Sequence, residues 1–276
     1  MIPRETRPSS AWWLVLSVLG LATLLVVVQW SPAAAQDTLT KMKTSKYALL
    51  ASYNEPPHDW FDPDDGKWKG IDNDIVEHIL RMLGVEKWDF IVADWSALIP
   101  GLQAKRWDLM SVGMSITDKR KQEVAFSEPV YQYGDALVVK KGNPKNIHGK
   151  ADWAGKRIGG ILGATSIDEI KAIPGATAVP FKQHGDMFVD VKAGRIDAAL
   201  ADETTAGYAF VVNPEPDLEI LHEWTGKSPR PSGIAFRKED VSLKAAFDAE
   251  LNKMKADGTL LAILKKYGLT DVNLVK

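Results

Sequence analysis

The run Gly113-Met114-Ser115-Ile116-Thr117-Asp118-Lys119-Arg120 sets a glycine, two hydroxyls and a guanidinium close together. Such a set suits a carboxylate. Exposed backbone N–H groups and hydroxyls donate, Thr117 can cap a short helix, and Arg120 offers two parallel donors. A capped turn with a surface arginine uses the same residues. Asp202 ends the apolar run Ala198 to Ala201, where its carboxylate can pair with an ammonium or cap the next helix. Asp197, at the entry to that run, reads as structural. Gly163-Ala164-Thr165-Ser166 has small residues that permit close backbone approach, and Thr165 adds a hydroxyl. Its spacing does not fit a phosphate loop, and a plain tight turn accounts for it equally. Asn54-Glu55-Pro56-Pro57 is followed by Trp60, and Trp95 lies further on; aromatics at strand ends wall a ligand, cover a cation or simply pack.

These residues fall at the joints of an alternating strand and helix pattern, which argues for α/β. Lys46 to Tyr53 is a candidate strand. Ile71, Ile75, Val76, Ile79, Leu80 and Leu83 recur at helical spacing, and Gly84 sits where a C-cap belongs. A strand over 87–92, a short helix from Ser96 to about Lys105 and a strand over 109–112 follow. Residues 133–140 read as extended, leading to the turn Gly142-Asn143-Pro144. A second series then has strands at 157–162, 177–181 and 197–201, with helices at 166–173 and 183–193. An extended stretch over 233–237 precedes two helices, 243–256 and 259–267. Two extended stretches flanking a middle α/β block imply a chain that leaves one lobe and returns to it. The expected lobes are 37–137 plus 234–276, and 142–230. Ligands of open α/β sheets sit at the carboxyl ends of strands, which here would face a cleft.

With 276 residues the chain can build two cores, and a net charge of −2 offers nothing to nucleic acid. The absence of cysteine excludes disulfides, thiol nucleophiles and a lipid-modified cysteine. The five histidines (58, 78, 148, 184, 222) form no metal pair at helical spacing, and Ser115 is not in a nucleophile elbow. No enzyme, metal or cofactor is therefore expected. Arg4 and Arg7 precede the uncharged stretch Ala11 to Trp30 and the small residues up to Ala35. This reads as a signal peptide over 1–35, cleaved after Ala35, with an uncleaved membrane anchor as the alternative. Export without an anchor suggests the periplasm.

Four blocks in order carry a resemblance: Gly70-Ile-Asp-Asn-Asp74, Leu98-Ile-Pro-Gly-Leu102, Met114 to Tyr131 and Gly194 to Glu203. At these residues the chain resembles the amino-acid-binding family of bacterial extracellular solute-binding proteins (family 3), near its lysine/arginine/ornithine and ectoine branches. The resemblance implies a two-lobed type II periplasmic binding protein with a hinge of two crossing strands, and a carrier for an ABC importer. It implies that Arg120, Ser115, Thr117 and the backbone near Gly113 hold an α-carboxylate, with Ala164 and Thr165 closing over it. Asp202 would take the α-ammonium, and Trp95 would form an aromatic wall. Where the basic-amino-acid branch has an acid and an aromatic after the first strand, this chain has Ser52, Tyr53, Asn54 and Glu55. The expected ligand is a zwitterion, a polar or basic amino acid with Glu55 near its side chain. The expected partner is an inner-membrane permease, and the protein itself a monomer. Ectoine or hydroxyectoine is the alternative in the same class. A cyclohexadienyl or arogenate dehydratase-like enzyme, with Glu55 or Glu203 as its acid, is the alternative of another class.

Overall fold

Short parallel pairings build the first sheet of the protein. The computed structural model describes residues 37–221, 224 and 229–275, and the expected signal peptide lies outside the described residues. The first lobe opens with α1 (Thr38–Ser45), β1 (Tyr47–Ser52), a small antiparallel hairpin of β2 (Trp60–Asp62) and β3 (Lys67–Lys69), α2 (Ile71–Met82) and β4 (Lys87–Val92). It continues through a 3-10 turn, Trp95–Ala97, into α3 (Leu98–Gln103), β5 (Leu109–Met110), β6 (Gly113–Ser115), α4 (Asp118–Lys121), β7 (Ala125–Phe126) and β8 (Tyr131–Tyr133).

β1 is central between β4 and β5, parallel to both. Its period of two divides the core: Ala48 and Leu50 join the cluster under α2, while Ala51 joins that beside α3. α2 forms where the periodicity predicts, with Ile71, Ile75, Val76, Ile79 and Leu80 buried and Asp72 and Asp74 in its first turn.

The second lobe holds β9 (Asp135–Lys140), β10 (Arg157–Ile161), α5 (Thr165–Lys171), β11 (Thr177–Phe181), α6 (His184–Lys192), β12 (Ala198–Asp202), α7 (Glu203–Val212) and β13 (Leu218–Leu221). Its sheet runs β11-β10-β12-β9-β13, parallel through β11, β10 and β12 and antiparallel at β9. Alternate residues again serve two cores: Ala136 and Val138 pack with Met187 of α6, and Leu137 and Val139 pack with Trp153 and Ile170. The chain then returns along β14 (Arg230–Phe236) to α8 (Val241–Asp257) and α9 (Thr259–Lys266), whose Leu243, Phe247, Leu251 and Leu264 fill the first lobe.

Two crossings join the lobes. β8 passes into β9 at Gly134, and β14 comes back beside it, with Tyr131 to Tyr133 paired antiparallel to Arg230 to Ser232. Arg230 Nη1 also lies 2.6 Å from Asp135 Oδ2 and 2.8 Å from Glu169 Oε1, clamping the crossing electrostatically. The stretch expected as one strand over 133–140 is thus split. Its part from Asp135 already pairs within the second-lobe sheet, ahead of the expected 137 limit, because β12 offers it a partner.

The strand expected over 109–112 is confined to its first half, β5, and a separate short strand, β6, forms beyond it. β5 stays beside β1, whereas β6 turns away to pair with β14, a partner more than a hundred residues distant. The hairpin β2–β3 escapes sequence reading, since three-residue strands carry too little alternation to register, and so does α1, which buries Met42 alone and shows no apolar period.

Candidate functional site

The carboxyl ends of β1, β10 and β12, with β6 and the turn at Trp95, converge on one cavity between the lobes. Glu55, Trp95, Gly113, Ser115, Arg120, Ala164, Thr165 and Asp202 all line it, as expected of their places at strand ends. Three residues singled out with them lie elsewhere. Thr117 caps α4, its hydroxyl accepting from Arg120 N at 3.2 Å, and faces a neighbouring groove. Asn54 is exposed and accepts from Phe61 N at 2.8 Å. Trp60 packs against Tyr208 and Tyr267, with ring centroids 5.8 and 6.0 Å away.

Arg120 is buried, and its Nη1 donates to Ser115 O at 2.9 Å while Nη2 reaches Gly163 O across the cleft at 3.4 Å. Its Cζ stands 5.6 Å from the Trp95 ring, in reach of a cation–π contact. Burial lowers the guanidinium's pKa, but an arginine keeps its charge, so the cavity holds a fixed desolvated cation. Gly113 is required beside it: a Cβ there would lie 2.6 Å from both Asp72 Oδ1 and Ser232 Oγ. Gly163 adopts φ +82°, and a Cβ would approach Ser96 Cα to 3.1 Å, so glycine lets the second-lobe turn meet the first lobe.

Asp202 stands at the N-cap of α7, yet its side chain makes no capping hydrogen bond. Its carboxylate is thus left to the cavity. Arg120 enters that cavity from the first lobe and Asp202 from the second.

The cavity contains further polar groups that the sequence did not single out: Tyr53, His58, Asp59, Tyr133, His184 and Thr205. Their signal was proximity to strand ends. Tyr53 follows β1, and His184 opens the helix after β11, the rule that also picked Asp202. His58 bridges the lobes, with Nδ1 2.9 Å from Tyr131 Oη and Nε2 2.8 Å from Thr204 Oγ1. Burial pulls its pKa down, but Asp72 at 3.5 Å outweighs that and the net shift is upward. Exposed pairs Lys119–Asp168 and Lys182–Asp94, each 2.7 Å, also join the lobes. The lobes stand closed on each other.

Asp59 is fully buried. Its Oδ2 accepts from Ser52 Oγ and, at 2.9 Å, from Tyr53 N, whereas Oδ1 has no partner. Burial drives its pKa well above the ordinary 3.8, so folding takes up a proton there. That contribution to stability is complete below the ordinary value and is lost as pH rises through the folded one; the raised pKa of His58 acts in the same sense above 6.5. Asp59→Asn, which mimics the protonated acid, is expected to stabilise the ligand-free protein near neutral pH by on the order of 1–3 kcal/mol. Thermal melts from acid to neutral pH should decline less steeply in the variant. A slope unchanged from the wild type would contradict a protonated Asp59.

The protein-family model of bacterial extracellular solute-binding proteins, family 3, matches residues 26–270. A lysine/arginine/ornithine-binding periplasmic protein from Escherichia coli (strain K12) is 34% identical, over 91% of this chain and 96% of that protein. Among solved structures, EhuB in complex with hydroxyectoine aligns with a TM-score of 0.79 and 30% identity, covering 84% of this chain and 92% of its own. A mutant of ArgBP from T. maritima aligns with a TM-score of 0.76 and 32% identity, covering 83% and 98%.

Proposed function

The chain belongs to family 3 of the bacterial extracellular solute-binding proteins, and from that premise we propose that it carries a polar or basic amino acid to an ABC importer. One observation carries the ligand class: Arg120 and Asp202 face a single cavity from opposite lobes. The ligand α-carboxylate would sit on Arg120, Ser115 and the Gly113 backbone, roofed by Ala164 and Thr165. The α-ammonium would sit on Asp202, and Trp95 would wall the cavity. The side chain would point to Glu55.

The physics of closure follows from this pair. Shutting the lobes buries a guanidinium and a carboxylate, and leaving either unpaired costs on the order of 3–5 kcal/mol. A zwitterion satisfies both at once, so it binds the closed state better and shifts the population towards it. The two lobes would then move as units about the crossing at Gly134 and Arg230. A permease in the inner membrane would read the closed form. This reading includes export to the periplasm with cleavage after Ala35, and a monomeric carrier.

Ectoine or hydroxyectoine is a second reading, supported by the likeness to EhuB and by the aromatic Tyr53, Trp95 and Tyr133 in the cavity wall. A thermal-shift screen of the protein from Gln36 decides between them, using amino acids, ectoines, opines and prephenate. At a thousandfold excess over Kd a ligand stabilises by about 4 kcal/mol, which for a chain of this size raises Tm by roughly 10 °C. A shift with one amino acid supports the carrier reading. A shift with ectoines alone supports the second. A shift with prephenate alone, accompanied by its turnover, would replace both with an enzyme.

A further inference from the structure

Among the described residues, three buried side-chain atoms on the cavity wall have no hydrogen-bond partner: Asp59 Oδ1, His184 Nδ1 and Thr205 Oγ1. None belongs to the set around Arg120. His184 comes from the second lobe, and its Nδ1 stands 3.6 Å from Glu55 Oε2 of the first, within ion-pair range but beyond a hydrogen bond. Both side chains are shielded, at 6% and 13% exposure, so a charge on either is felt strongly by the other.

Charge counting gives this pair its meaning. Arg120 and Asp202 would cancel the α-groups of an amino acid. Burial favours the neutral form of Asp59. His58 is engaged with Tyr131, Asp72 and Thr204. Lys182, two residues before His184, is paired with Asp94 outside the cavity. What remains around the ligand side chain is Glu55 and His184. With a neutral imidazole this wall carries one negative charge. With an imidazolium it carries none.

Resting on the amino-acid reading above, we propose that His184 sets which side-chain charge the cavity accepts. Protonated, it stands where a cationic ligand group would stand, occupies Glu55, and leaves the open donors and acceptors of Asp59 and Thr205 to a neutral polar side chain. Neutral, it surrenders the Glu55 carboxylate to a cationic side chain. The groups facing His184 are Glu55 and Asp202, with Arg120 lining the same cavity. Burial pulls the imidazole pKa down, the two carboxylates raise it, and the net position is above the ordinary 6.5. The switch therefore falls on the neutral-to-alkaline side.

L-arginine and L-citrulline test this, because they share shape and α-groups and differ in side-chain charge. Titration of the shared α-ammonium cancels in the ratio of their Kd values. By calorimetry, the preference for arginine over citrulline should rise at least about tenfold between about pH 5.5 and about pH 8.5. In His184→Gln the ratio should lose most of its pH dependence, the remainder belonging to His58, and stay on the arginine-favouring side. In Glu55→Gln it should favour citrulline at both pH values. A pH-independent ratio in the wild type, or a pH dependence undiminished in His184→Gln, overturns the proposal. Should neither compound bind, the remaining amino acids are titrated at both pH values. Binding of apolar or acidic ones alone overturns this inference and leaves the carrier standing. Binding of none overturns the carrier reading as well.

Discussion

Arg120→Ala is expected to weaken every carboxylate ligand by about a thousandfold, equivalent to ~4 kcal/mol at 1.4 kcal/mol per decade. The size follows from burial. The guanidinium is desolvated, tied to Ser115 O and Gly163 O, and backed by Trp95, so its charge is already turned from water towards the cavity. Removing it leaves a ligand carboxylate enclosed without a counter-charge. Arg120→Lys should recover only part of the loss, since an ammonium cannot offer two coplanar donors. Calorimetry measures the affinity, and a melting scan of the ligand-free variant separates lost binding from lost folding. Unchanged affinity in Arg120→Ala would remove the core of the proposed function.

Asp202→Ala has the second largest expected effect, about a hundredfold loss for α-amino acids, or ~2.7 kcal/mol. Carboxylate ligands lacking the ammonium should lose less than about tenfold, well below the cost of an unpaired buried charge. This variant also separates the two roles open to an aspartate at a helix start. An N-cap aspartate replaced by alanine ordinarily costs about 1 kcal/mol. Here the carboxylate makes no capping bond, so the ligand-free melting temperature should hardly move. A clear fall in Tm with unaltered affinity would mark Asp202 as a cap rather than a ligand group.

The architecture was legible where a pattern is local. Six apolar residues at helical spacing placed α2, and the apolar run ending at Asp202 placed β12. The strand-end rule then selected Glu55, Trp95, Gly113, Ser115, Arg120, Ala164, Thr165 and Asp202, which the fold gathers around one cavity. Such reading works because a period of two or 3.6 is a property of neighbouring residues. It missed where the partner is remote. β6 leaves the run of β5 only because β14 is there to pair with it, and Asp135 joins the second sheet only because β12 lies alongside.

The same division holds in the site. By itself the sequence determined an α/β chain without cysteine and placed a cation and an anion near strand ends. Tertiary structure alone decided that Trp60 and Asn54 turn away, and that His184 meets Glu55 from 129 residues further along the chain. Spacing specifies which face of an element a side chain takes. Which distant charge it meets there, and what burial does to both, depends on how two lobes close, and no local pattern encodes that.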